Sequence, residues 1–154
     1  MKNKRIIVPV GFPGSGKTSF IRGHRHTHHS MSITISGDAL RVMMHHGVYH
    51  FDGPETDRII CTMIEMAKTF LPIYPVIYLD EYYISYNKQS RANLVTLFDG
   101  LAKVEFYPMD SDIGKCIHRR CTDTREDDTS RWPNVLLAMT HDFEPLEAPY
   151  NGNI

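Results

Sequence analysis

The stretch “VPVGFPGSGKTSF”, Val8 to Phe20, sets three glycines, a lysine and a hydroxyl residue between an apolar run and a segment of helical spacing. Within it “GFPGSGKT” fits GxxxxGK[ST] from Gly11 to Thr18, in strand-loop-helix context. Glycines let a backbone wrap tightly round a phosphate with its N–H groups inward, and the helix that follows adds the positive end of its dipole. Gly14, Ser15, Gly16, Lys17 and Thr18 are therefore expected to cradle a nucleoside triphosphate. Lys17 reaches its β- and γ-phosphates, and the Thr18 hydroxyl holds Mg²⁺. A glycine-rich turn without a ligand is the plainer alternative, and it leaves the lysine and the hydroxyl residue without a reason.

Upstream, “RIIVPV” (5–10) is a short apolar run that suits a buried strand, with Pro9 at a strand end or an edge. Downstream, a short helix runs from Lys17 to about Gly23, and “GHRHTHHS” is a polar connection. “MSITIS” (31–36) is a strand, and “GDALRVMMHHG” (37–47) a helix capped by Ser36 and stopped at Gly47. Helical spacing of Ile60, Met63, Ile64, Ala67 and Leu71 marks a core face within 53–71. A strand “PVIYLD” (75–80), a helix from about Asn87 to Gly100, a strand “AKVEFYP” (102–108), a helix from about Asp112 to Arg120 and one opening at Pro133 complete the chain. This alternation predicts an α/β chain of three layers, with a mainly parallel sheet of four to five strands covered on both faces.

The chain has 154 residues, the size of one domain. Its 17 basic and 18 acidic residues give a formal charge of -1, so contact with nucleic acid must be local. Cys61, Cys116 and Cys121 form no CxxC pair, and the apolar run before Gly11 is too short for a signal peptide or a membrane span. A reducing, cytoplasmic setting is the expectation.

A phosphate loop alone does not separate kinases from switches. A GTP switch usually carries NKxD, and “NKQS” (87–90) lacks its aspartate. “SITISGDALRVM” instead puts Asp38 just after the second strand, with Arg41 three residues on and on the same helix face. A carboxylate facing a γ-phosphate repels an acceptor that is itself a phosphate, and suits a neutral hydroxyl whose proton it can take. An ordinary acid in a helix's first turn is the bland reading of Asp38.

“GFPGSGKT”, then “GDALR”, then “VIYLD” at a strand end, then an arginine-rich segment before the last helix: in order and spacing the chain resembles the kinase domain of bacteriophage polynucleotide 5′-kinases. It also resembles the wider group of zeta-toxin-like and polynucleotide-kinase-like phosphotransferases. The resemblance implies a P-loop NTPase/kinase fold over 1–154, with Asp38 as general base and Arg41 gripping a phosphate of a nucleic-acid acceptor. At “LDEYYIS” the chain departs from the group, which commonly has a small or amide side chain where Tyr82 stands.

Asp80 ends an apolar strand, where it orients a Mg²⁺-bound water or holds Arg41; Glu81 is the weaker candidate. Tyr82, Tyr83 and Tyr86 either stack on a base or pack on the sheet. “HRRCTDTREDDTSRW” (118–132) carries four arginines among four acids, which suits a mobile lid over about 118–131. Arginines lowered on the triphosphate neutralise charge in transfer. Arg125 matches the lid arginine of the resembling group best, with Arg120 close behind. The histidine-rich segments hold no zinc-like spacing, and His45, His46 and His50 are placed to line an acceptor entrance.

The expected activity is transfer of the γ-phosphate of ATP, with Mg²⁺, to a hydroxyl on a nucleic acid, DNA first, with no membrane partner. The acceptor is a 5′-hydroxyl or the hydroxymethyl group of 5-hydroxymethyluracil in phage-type DNA. A small-metabolite or nucleoside kinase, and a nucleotide-gated binding module without turnover, are the alternatives.

Overall fold

The computed structural model describes residues 4–28, 31–123 and 129–151. Strand β1 (Arg5–Val10) buries five of its six residues, which is why it reads as an unbroken apolar run rather than an alternating one. It lies at the centre of a five-stranded sheet, flanked by β3 (Val76–Asp80) and β4 (Lys103–Pro108). β2 (Ser32–Ser36) pairs outside β3, and these four strands are parallel. A two-residue strand, β5 (Tyr150–Asn151), pairs antiparallel outside β4. Pro9 stands near the end of this central strand. The ladder to β3 stops at Ile7, and only the β4 side continues past it, so of the two sequence-based readings the strand end holds and the edge does not.

Helix α1 (Lys17–His28) runs past the expected stop at Gly23. A Cβ added at Gly23 would meet nothing within 4 Å among the described residues, so that residue is on the solvent face and interrupts no packing. The polar segment after it is helical because His24 packs like an aromatic residue, with Phe20, Tyr78 and Tyr107 around its ring. Its Nδ1 lies 2.7 Å from the Tyr78 hydroxyl, and Arg25 Nε donates to Ser32 Oγ.

The other caps follow local rules. Ser36 Oγ accepts from the Ala39 N–H at the start of α2 (Gly37–Met44), and Asn87 and Asp112 do the same for α4 (Lys88–Leu97) and α5 (Ile113–Cys121). Pro54 and Pro133 sit in the first turns of α3 (Gly53–Phe70) and α6 (Trp132–Met139). α3 buries Ile59, Met63, Ile64 and Ala67, with Leu71 beyond it. Ile60, expected in the core, packs at its margin, and Ile59 takes its place.

Buried side chains alternate between two faces of the sheet. Ile6, Val8, Ile77 and Leu79 pack with α3 and α4, while Ile7, Val76 and Tyr78 pack with Ile21 of α1. The result is three layers. A separate cluster of Phe12, Tyr82, Cys116, Trp132 and Leu136 joins α5 and α6 to the loop after β1. The ends of β1, β2 and β3 thus deliver the Gly11 loop, Asp38 and the Asp80–Glu81 pair to one edge, where parallel α/β sheets bind ligands. Among the described residues no helix is long and apolar enough to cross a membrane.

Candidate active site

The loop between β1 and α1 is built to receive an anion. Gly14 has φ +81°, and a Cβ there would lie 2.7 Å from the Cys116 carbonyl oxygen. A left-handed backbone packed against another main chain leaves room for glycine alone. The amides of Gly14, Gly16, Lys17 and Thr18 donate to no group among the described residues. Among the described residues the buried Ser15 hydroxyl also lacks a partner. A helix start with free N–H groups and an orphaned hydroxyl fits a bound phosphate.

Lys17 is buried, and its Nζ donates to the carbonyls of Gly11 (3.1 Å) and Phe12 (2.9 Å). Burial pushes its ammonium below the ordinary lysine range, against the opposite pull of Asp80, Asp38 and Glu81. An incoming polyphosphate would restore that charge. Thr18 Oγ1 donates to Asp80 Oδ2 at 2.8 Å. A hydroxyl beside a carboxylate at the phosphate loop is the hard-oxygen set that Mg²⁺ prefers.

Asp38 opens the first turn of α2, its side chain about one-third exposed, between two arginines. Its Oδ1 lies 3.5 Å from Arg41 Nη1 and its Oδ2 3.9 Å from Arg120 Nη1. Arg41 is 1% exposed, and Glu81 holds it: Nη1 donates to Oε2 (2.8 Å) and Nη2 to Oε1 (3.1 Å). Arg41 Nη2 also lies 3.4 Å from the Thr56 hydroxyl, and only Nε of this guanidinium is without a partner among the described residues. Of the two roles expected of Asp80, holding Arg41 falls to Glu81, and Asp80 is engaged by Thr18. Glu81, rated the weaker candidate, is the anchor. Burial pushes its carboxyl above the ordinary range, and the two hydrogen bonds from Arg41 pull it back part of the way. The carboxylate lies so close to the Gly37 Cα that any Cβ there would collide with it. That is the physical reason for glycine in “SGDALR”.

Tyr82 is a packing residue that lines the cleft. Its ring stacks against Phe12 and Phe143, and its hydroxyl lies 3.5 Å from the Met139 carbonyl. Tyr83 and Tyr86 join the same aromatic cluster, and Tyr83 also stacks on Phe51. In α5 the Arg120 guanidinium lies 4.0 Å from the Trp132 ring centroid and 5.5 Å from that of Tyr49, and pairs with Asp123. Arg125 lies outside the described residues. Two arginines not singled out by the sequence also reach the cleft. Arg119 donates to the Gly14 carbonyl at 3.1 Å, and Arg131 covers Tyr49 and Trp132. The bunching of arginines in 118–132 was the available signal for them.

His45 Nε2 lies 3.0 Å from Glu55 Oε2, and its ring is 4.7 Å from that of His50. Among the described residues no three His, Cys, Asp or Glu side chains gather as a metal cluster. The groups around Asp38 share one cleft of about 250 Å³. Lys17, Thr18, Asp38 and Asp80 line it together with Arg119 and Arg120 of α5 and the aromatic side chains of Tyr49, Phe51, Tyr82 and Tyr83.

No family model and no curated protein sequence matches the chain. Solved structures do. The chain is similar to one in a Pnkp1/Rnl/Hen1 RNA repair complex, with 20% identity and a TM-score of 0.66, over 95% of this chain and 49% of that one. It therefore spans about half the length of that protein. It is also similar to a gluconokinase from Sinorhizobium meliloti 1021 (17% identity, TM-score 0.55, 94% of this chain and 77% of that one). A shikimate kinase from Bacteroides thetaiotaomicron is 12% identical with a TM-score of 0.56, over 89% of this chain and 77% of that one. The fold is that of P-loop kinases.

Proposed function

We propose that this protein transfers the γ-phosphate of ATP to a hydroxyl group of a nucleic acid, DNA or RNA. The observation that carries the reading is Asp38, held between Arg41 and Arg120 in the same cleft as the phosphate loop. Amides of the Gly11–Thr18 loop and Lys17 bind the donor phosphates. Asp38 accepts the proton of the attacking hydroxyl as its oxygen bonds to phosphorus and the bond from phosphorus to the ADP oxygen breaks. Thr18 and Asp80 are the residues that would hold Mg²⁺, which when bound offsets the phosphate charge. Arg119, Arg120 and Arg125 belong to a lid over about 118–131 that closes on the triphosphate. Arg41, held in place by Glu81, orients Asp38 and supplies the fixed positive charge that an acceptor phosphate would meet.

The likeness to a chain of an RNA repair complex supports the nucleic-acid acceptor. The likeness to gluconokinase and shikimate kinase favours a small-metabolite acceptor as second reading. Transfer of labelled γ-phosphate to 5′-hydroxyl DNA and RNA, DNA containing 5-hydroxymethyluracil, nucleosides, gluconate and shikimate tells them apart. We expect transfer to a nucleic acid, with Asp38→Asn retaining ATP affinity and losing about 10²–10⁴-fold in kcat. Transfer to the metabolites alone refutes the acceptor, and an Asp38→Asn variant above half the wild-type kcat refutes the base.

A further inference from the structure

The positive charge of this chain is gathered at its start. The first 37 residues hold six lysines and arginines and no acid, whereas residues 38–154 hold eleven against eighteen. Such asymmetry marks a local surface for a polyanion, which the net charge of -1 conceals. In the folded chain Lys17 belongs to the phosphate loop and Arg5 is paired with Glu105. Arg22 and Arg25 of α1 stand apart from these, both exposed and three positions apart on one helix face. Among the described residues neither pairs with a carboxylate. Arg25 Nε donates to Ser32 Oγ, and Arg22 makes no hydrogen bond or ion pair among the described residues.

Both arginines line an open groove between α1 and the β2–β3 side of the sheet, with His26 and the exposed Thr34. Asp80, the one carboxylate among its lining residues, is engaged by Thr18 where the groove meets the active-site cleft, about 10 Å of helix from Arg25. No Phe, Tyr or Trp lines the groove, so it offers fixed charge and a hydroxyl but no platform for a base. Thr34 stands on β2, the outermost strand of the sheet, and Asp38 follows four residues later, a span of about 13 Å at most. A strand whose reacting hydroxyl is at Asp38 has only this sheet edge to round before its sugar-phosphate chain meets Arg22 and Arg25.

Resting on the nucleic-acid reading above, we propose that this groove holds backbone phosphates of the acceptor strand, away from its reacting end and without regard to base sequence. Guanidinium forks match phosphate oxygens two at a time, and two forks on one helix face suit a chain of phosphates.

The test uses the intact chain and a labelled single strand that carries a 5′-phosphate, so that binding is read by fluorescence anisotropy without turnover. Its affinity is measured across a salt series for the wild type, for Arg22→Glu, and for Arg22→Gln combined with Arg25→Gln, with melting curves to confirm folding. Two phosphate contacts on a single strand add about 1.4 to the slope of log affinity against log salt, which is about sevenfold in affinity between about 50 and 200 mM salt. We expect the double variant to lose that share of the slope and Arg22→Glu to bind the strand more weakly than the wild type. In transfer assays both variants should raise KM for a decanucleotide and leave KM for a dinucleotide, KM for ATP and kcat unchanged. Wild-type slope and KM in both variants overturn the groove and leave the kinase reading standing. Arg22-dependent binding of the strand without transfer to any nucleic acid supports the groove as a backbone site and sinks the acceptor assignment. Displacement of the strand by inorganic phosphate at constant ionic strength, or tighter Arg22-dependent binding to phosphatidylserine vesicles, assigns the groove to another ligand and overturns the proposal.

Discussion

Removing the Arg41 side chain should cost this protein much of its stability, and for an electrostatic reason. The guanidinium and the Glu81 carboxylate are both buried and bind each other through two hydrogen bonds of 2.8 and 3.1 Å. Arg41→Ala leaves a carboxylate in a dry site with nothing opposite it, a situation that costs about 3–5 kcal/mol. In a chain of this size each kcal/mol is worth about 2–4 °C in Tm, so the expected fall is about 6–20 °C. Replacing both partners, as Arg41→Met with Glu81→Leu, removes the stranded charge and should restore most of the loss.

pH supplies an independent check. Burial already pushes the Glu81 carboxyl upward, and Arg41 is what pulls it down. In Arg41→Ala the folded chain keeps a proton that the unfolded chain releases above the ordinary carboxylate range. Folded binds more protons than unfolded, so stability falls as pH rises through that window. The penalty measured by denaturant melts should be smaller near pH 5 than near pH 8. A penalty under 1 kcal/mol, or one that grows towards acid, would refute the buried pair. The double variant then separates two roles for Arg41: if wild-type stability returns and the acceptor's KM stays high, the arginine serves the acceptor as well as Glu81.

Other outcomes follow from the phosphate loop. Lys17→Ala should abolish nearly all transfer and leave the fold intact, since its contacts answer to charge formed in transfer; near-wild-type rates would remove Lys17 from the donor site. Gly14→Ala puts a Cβ on a backbone with φ +81° and 2.7 Å from the Cys116 carbonyl. A loss of about 1–3 kcal/mol from the strained backbone and a clear drop in ATP affinity by calorimetry are expected, and an unchanged ATP affinity would count against the cradle.

Much of this was legible because it is local. The glycine loop, the Ser36 cap and the four parallel strands all declare themselves within a few residues. Asp38 and Arg41 were legible as a pair because three positions along a helix return to one face. The Arg41–Glu81 tie was not, since forty positions separate its partners and the order of strands must be known before they meet. The histidines after Gly23 read as a polar connection in the sequence, although His24 fills an aromatic gap against Tyr78 and α1 continues through them. β5 is two residues long and carries no periodicity to read. The packing of Tyr82 on Phe12 and Phe143 is not legible either, because both partners lie far away in the sequence.

Asp80 and Glu81 stand next to each other at the end of β3 and serve opposite sides of the cleft. Successive side chains of a strand point to opposite faces. Tyr78 and Asp80 face α1, where Thr18 waits, while Glu81 turns with Leu79 towards the layer holding α2 and α3, where Arg41 and Gly37 lie. One dipeptide thus ties the phosphate-loop side and the Asp38 side of the cleft to the same strand end, and the order of its acids matters as well as their charge. The double variant Asp80→Glu with Glu81→Asp keeps composition and net charge and moves each carboxylate by about one bond length. Aspartate at 81 is too short to keep both hydrogen bonds to Arg41, and losing one bond to a charged group costs about 1.5–3 kcal/mol. Glutamate at 80 pushes its carboxylate through the 2.8 Å contact with Thr18. We expect Tm to fall by about 3–12 °C and kcat to fall at least tenfold, read by melting curves and labelled-phosphate transfer. If the swapped protein melts and turns over like the wild type, negative charge at this strand end is all that matters, and the division of labour between the two acids is wrong.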